Sequence, residues 1–180
     1  MKKALFLDRD GTLIVDKDYL KDPKDVELFP GIAEFLMEAL AKGYMLFLFT
    51  NQSGVSRGYY KLEDAHACNA RMMELLGLPE PGFVEVGIAI EGPDADPGEE
   101  VKIYRKPSPR FILEMVEKYD LDKDGCWMIG DKLSDLEAGI RAGIKSAWVA
   151  SGKSKDGKLD EFIMRHGIAE FGSLREFILN

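Results

Sequence analysis

The stretch Leu5-Phe6-Leu7-Asp8-Arg9-Asp10-Gly11-Thr12-Leu13 constrains the fold of this chain more than any other. An apolar run ending at Leu7 stops abruptly at two aspartates one residue apart. In extended backbone, residues two apart share a face, so Asp8 and Asp10 address one small volume just past the strand's carboxyl end. Two carboxylates on one side of a strand end repel each other unless a cation or a proton intervenes. Gly11 lets the chain turn at once and pass close to whatever the pair holds. Asp-Gly after an apolar run is equally a turn signal, so this stretch alone leaves a solvated strand end open. Polar clusters further along the chain decide between the two.

Strand and helix patterns alternate along the rest of the chain. Residues 16–27 are polar, lack periodicity and contain Asp22-Pro23, which reads as a loop or flap. Ile32, Phe35, Leu36, Ala39 and Leu40 fall at helical spacing and stop at Lys42-Gly43. Residues 44–49 are almost wholly apolar, as in a parallel strand covered on both faces. Residues 61–76 predict a helix whose Met72, Met73, Leu75 and Leu76 serve the core, with His66 as a surface or capping residue. Further strands are expected at 83–90, 126–130 and 146–149, with helices at 110–119 and 136–142. The tail, 159–179, shows short helical patterns only. Such alternation implies right-handed crossovers and a parallel sheet, whose strand carboxyl ends form the binding crevice. We expect one domain over 1–180.

Polar clusters recur at those ends. Thr50-Asn51-Gln52-Ser53-Gly54 offers hydroxyl and amide groups suited to an oxyanion, although an ordinary polar loop would look the same. Arg105-Lys106-Pro107 places two cations before a proline, as an anion clamp would. In Asp131-Lys132-Leu133-Ser134-Asp135, Asp131 is placed as a metal ligand, while Asp135 caps a helix or braces the turn. Together these groups fit phosphoryl transfer. Asp8 serves as nucleophile, Asp10 as general acid and base, and Thr50, Asn51 and Lys106 stabilise the transferring group's oxygens. Mg²⁺ would bind Asp8, Asp131 and the main-chain carbonyl of Asp10. Arg105 suits a second anionic or polyhydroxyl part of a substrate.

Composition excludes some partners. A net charge of −8 and a pI near 4.9 give no electrostatic case for nucleic acid or an anionic membrane. Cys68 and Cys126 lack metal-binding spacing and read as buried thiols of a reducing cytoplasm. The segment 91–100 is acidic and rich in Pro and Gly, as in a solvated excursion.

The motifs LDRDGTL, TNQ, RKP and IGDKLSD, in that order, resemble the haloacid dehalogenase (HAD) superfamily of phosphatases. Their forms look most like the branch acting on histidinol phosphate and D-glycero-D-manno-heptose 1,7-bisphosphate. The resemblance implies a Rossmann-like three-layer sandwich without a large cap domain. It also implies a Mg²⁺-dependent phosphomonoester hydrolase working through an aspartyl phosphate on a small phosphorylated metabolite, most like the heptose 1,7-bisphosphate 7-phosphatases. It makes Asp8 the nucleophile, Asp10 the acid/base, Thr50 and Lys106 phosphate ligands, and Asp131 a metal ligand. Asn51, Ser53, Arg105 and Lys132 fall near the substrate. Many relatives carry a zinc loop of three cysteines and a histidine before the RKP motif. Residues 91–102 hold neither residue type, so no structural zinc is expected. Other readings are a histidinol-phosphate phosphatase, a polynucleotide 3′-phosphatase and a catalytically silent interaction module.

Overall fold

β1 (Lys3–Leu7) lies inside a six-stranded, all-parallel sheet of order β3-β2-β1-β4-β5-β6. The computed structural model describes residues 2–92, 104–150 and 155–177. The other strands are β2 (Tyr44–Asn51), β3 (Phe83–Ala89), β4 (Trp127–Gly130), β5 (Lys145–Val149) and β6 (Ala169–Phe171). The connecting helices are α1 (Ile32–Ala41), α2 (Leu62–Leu76), α3 (Arg110–Tyr119), α4 (Leu133–Ala142) and α5 (Gly157–His166).

Side-chain alternation along the strands separates two cores. Leu5 and Leu7 join Leu46, Leu48 and Ile129 beneath Phe35 and Leu36 of α1 and Cys68 and Met72 of α2. Ala4 and Phe6 face the other way, with Phe47, Phe49 and Met128, against Phe111 and Ile112 of α3 and Ala138 of α4. α5 packs Leu159 and Ile163 on Trp148 and Leu136. Sheet order reverses between β1 and β4, whose register pairs Leu7 with Ile129. A crevice therefore opens beyond their carboxyl ends, where Asp8 and Asp131 lie.

The doubly wound α/β architecture is the one expected, with differences at the edges of elements. β2 continues through Thr50 and Asn51, because β3 carries the ladder on (Thr50 with Ile88, Asn51 with Ala89). Those two residues thus belong to the strand itself and not to the loop after it. α4 begins at Leu133, three residues ahead of expectation, because Asp135 accepts the Lys132 N–H at 3.0 Å and caps the first turn. The tail contains β6 as well as a helix, and β6 extends the sheet beside β5 (Ala147 with Ala169). Its three residues are too few to show a strand period. Leu75 is exposed rather than core. Residues 16–27 form a loop with one 3₁₀ turn, Pro23–Asp25, capped by Asp22. Cys68 and Cys126 are buried free thiols on opposite faces of the sheet. Of the acidic segment 91–100, residues 93–100 lie outside the described residues, as does 151–154. No helix among the described residues is long and apolar enough to cross a membrane.

Phe47 is fully buried, stacks on Phe6 at 4.9 Å between ring centroids and meets Tyr119 at 5.4 Å. Phe47→Ala should lower unfolding free energy by about 3–5 kcal/mol, measured by denaturant titration, since the strand cannot close on the void.

Candidate active site

Lys106 stands where three elements converge. Its side chain is buried, and Nζ donates to Asp8 Oδ1 at 2.8 Å and to the Phe49 carbonyl of β2 at 2.7 Å. The same Nζ pairs with Asp135 Oδ1 of α4 at 2.6 Å. Main-chain contacts hold it in place. Asn51 at the end of β2 accepts the Lys106 N–H at 2.9 Å and donates to the Lys106 carbonyl at 3.1 Å. The Asn51 side-chain amide therefore clamps the loop carrying the cation. Asp8 is set by its own backbone, whose N–H donates to the Ile129 carbonyl at 3.1 Å.

Asp8 and Asp135 are both buried, and their environments push them apart. Burial works to raise the Asp8 carboxyl, but Lys106 and Lys132 outweigh it and hold Asp8 below the usual carboxylate range. Asp135 moves up, through burial and then the nearby Asp8 charge, although Lys106 opposes the shift. Burial acts against the charge on Lys106, yet the two carboxylates hold its ammonium above the usual range. One buried cation thus serves two buried acids.

The remaining site residues form a ring around this triad. Lys132 is half exposed and donates to the Asp10 carbonyl at 3.1 Å. Its Nζ lies 3.9 Å from Asp8 Oδ2, 3.6 Å from Asp131 Oδ1 and 3.7 Å from Asp16 Oδ2. A cavity of about 260 Å³ opens here, lined among others by Asp8, Asp10, Asn51, Ser53, Lys106 and Lys132. Thr50 is fully buried just behind it, its Oγ1 accepting from Gln52 Nε2 at 2.8 Å. Arg105 stands apart from the lining and donates to the Glu91 carbonyl at 3.0 Å. Asp131 is anchored through its carbonyl, which accepts the Trp148 indole N–H at 2.9 Å.

Carboxylate oxygens of Asp8, Asp131 and Asp135 lie within 4.8 Å of one another, all on buried residues. A purely oxygen donor set of this kind suits a hard divalent cation such as Mg²⁺. Gly11, at φ +87°, makes the cradle possible, because a Cβ there would sit 2.3 Å from Asp131 Oδ2. At Gly130 a Cβ would strike Asp135 Oδ2 at 2.2 Å. The absent side chain at residue 130 therefore makes room for the Asp135 carboxylate.

Comparison with known proteins identifies relatives of this chain. The HAD-hydrolase-like family model matches residues 103–171. A D-glycero-beta-D-manno-heptose-1,7-bisphosphate 7-phosphatase from Helicobacter pylori is 40% identical over 80% of this chain and 81% of its own. One from Pasteurella multocida is 34% identical over 97% of both chains. A solved structure of D,D-heptose 1,7-bisphosphate phosphatase from B. bronchiseptica, complexed with magnesium and phosphate, superposes with a TM-score of 0.76. It covers 96% of this chain and 93% of its own at 27% identity. This chain belongs to the HAD phosphatases, in their heptose-bisphosphate phosphatase branch.

Within this HAD phosphatase Asp135 caps α4, as its place in the sequence suggested, and it also pairs with Lys106 and completes the acidic cluster. The structure further adds residues the sequence did not single out. Arg9 and Gln52 stand within the LDRDGTL and TNQ motifs, which gave them no role, yet both touch Asp10. Tyr60 and Asn69 carried no signal at all, being isolated polar residues on otherwise ordinary segments. Asp16 reaches Lys132 from the loop expected to be a flap.

Lys106→Met should cost about 3–5 kcal/mol in a denaturant titration, because it leaves two buried carboxylates without their cation. Burial also pushes the Tyr60 phenol up to about 12. Its unfolded value is near 10, so Tyr60's contribution is full below about pH 10 and is lost as pH rises toward about 12. Alkaline unfolding curves should show that loss, and Tyr60→Phe should remove it.

Proposed function

We propose that this chain is a Mg²⁺-dependent D-glycero-D-manno-heptose 1,7-bisphosphate 7-phosphatase acting through a phospho-aspartyl intermediate on Asp8. The observation that carries the reading is the buried Asp8–Lys106–Asp135 cluster at the foot of the cavity, on a chain whose full-length relatives bear that activity in their names.

Lys106 engages Asp8 Oδ1, which leaves Oδ2 to attack phosphorus. An ammonium at this position keeps the nucleophile ionised and then faces the oxygens of the transferring group. Attack by Asp8 breaks the ester bond, and Asp10 gives its proton to the departing alkoxide. Asp10 next removes a proton from water, whose oxygen attacks the phosphoryl group and releases Asp8. Thr50 and Asn51 support this chemistry from the end of β2, Thr50 through Gln52 and Asn51 by holding Lys106. Ser53 and Lys132 contribute from the cavity wall. Asp8, Asp131 and the Asp10 carbonyl would hold Mg²⁺, with Asp135 beside them. When bound, the cation supplies charge neutralisation for the approaching phosphate. Arg105 reaches toward a more distant part of the substrate than the reacting phosphate. The site serves a small phosphorylated metabolite, and cytoplasmic carbohydrate metabolism is the setting that fits it.

The test is phosphate release from heptose 1,7-bisphosphate in both anomers, histidinol phosphate and an oligonucleotide 3′-phosphate, with and without Mg²⁺. We expect the heptose bisphosphate to be the best substrate, and Asp8→Asn to lower the rate by at least about 10³-fold. Preference for histidinol phosphate or the oligonucleotide would replace the substrate. Mg²⁺-dependent turnover surviving in Asp8→Asn would refute the mechanism.

A further inference from the structure

The Asp10 carboxylate is gripped by side chains that the phosphate-binding assignments leave unused. Arg9 meets it with two parallel bonds, Nε to Oδ2 at 3.0 Å and Nη2 to Oδ1 at 3.1 Å. Gln52 Nε2 adds a second bond to Oδ2 at 2.8 Å. Oδ2 thus accepts twice and Oδ1 once, so Oδ1 keeps the lone pair that can carry a proton.

Arg9 is itself held from behind. Its Nη1 donates to Asn69 Oδ1 of α2 at 2.8 Å, and its Nη2 to Gln52 Oε1 at 3.0 Å. Tyr60 O–H donates to that same Oε1 at 2.6 Å. Gln52 therefore accepts twice at Oε1 and donates from Nε2 to both Asp10 and Thr50, a pattern that only one orientation of its amide satisfies. Arg9, Gln52, Asn69 and Tyr60 are all buried. Asn69 Nδ2 has no hydrogen-bond partner among the described residues, so the bond from Arg9 is what the Asn69 amide serves.

We propose that Arg9, Gln52, Tyr60 and Asn69 are positioning residues that present Asp10 Oδ1 to the ester oxygen of the substrate, allowing the enzyme to expel poorly acidic alcohols. This rests on the acid–base role proposed for Asp10. As the bond from Asp8 to phosphorus forms, the ester P–O bond breaks and its electron pair stays on the ester oxygen. That oxygen takes the proton from Asp10 Oδ1. A sugar hydroxyl cannot leave without it, whereas p-nitrophenol departs readily as the anion. Misplacing Asp10 therefore harms the first ester and largely spares the second.

The experiment compares kcat/KM for a sugar phosphate and for p-nitrophenyl phosphate in the wild type, Asn69→Leu, Tyr60→Phe and Asp10→Asn, with thermal unfolding of each. Asn69→Leu and Tyr60→Phe should lose about tenfold on the sugar phosphate and less than about threefold on the aryl ester. Equal losses on both esters, or no loss on either, would reduce the network to scaffolding and overturn the proposal. Tyr60→Phe removes one hydroxyl and keeps the ring, so it supplies the answer if Asn69→Leu does not fold. Asp10→Asn separates the role of the network from the role of Asp10 itself. If it discriminates between the esters while the network variants do not, only this inference fails. If Asp10→Asn loses both esters equally, the acid–base reading fails with it.

Discussion

A single ammonium group, Lys106 Nζ, touches the ends of β1 and β2 and the first turn of α4. Burying it together with Asp8 and Asp135 is costly unless the geometry compensates, because each ion gives up its water. Much of the compensation comes from close pairing around the ammonium. Nζ has three oxygens within 2.8 Å, and Asp135 uses its other oxygen to cap α4. The rest of the structure makes that arrangement reachable. Parallel strands bring their carboxyl ends into register, Gly11 and Gly130 leave room for carboxylates, and Asn51 pins the loop from which Lys106 projects.

The site also separates its two acids by environment. Asp8 faces lysines and stays ionised, as an attacking group must. Asp10, two residues on, accepts instead from an arginine and a glutamine amide. The strand-end turn thus delivers two carboxylates to one cavity with different neighbours.

Much of this was legible in the sequence, for physical reasons. Apolar runs ending in acids, hydroxyls or lysines can be read directly, since strand ends in a parallel sheet must carry the chemistry. Asp8, Asp10, Asn51, Ser53, Lys106 and Lys132 do share one cavity. Thr50 lies behind it and Arg105 beside it, distinctions of a few ångströms that spacing does not encode. Arg9 was hidden by its own position: between two site aspartates in extended backbone, it should face away from them. It does face away, and then its long side chain folds back onto Asp10. Asn69 depends on which face of α2 meets the site, and β6 on three residues, so neither leaves a periodic trace.

The central claim is that Asp8 carries the phosphoryl group. It is tested most directly by acid-quenching the enzyme during turnover, reducing with borohydride and sequencing peptides by mass spectrometry. Conversion of Asp8 to homoserine, absent without substrate, is the result this account predicts. Release of the alcohol product with Asp8 unmodified, or with the modification on another residue, would contradict it.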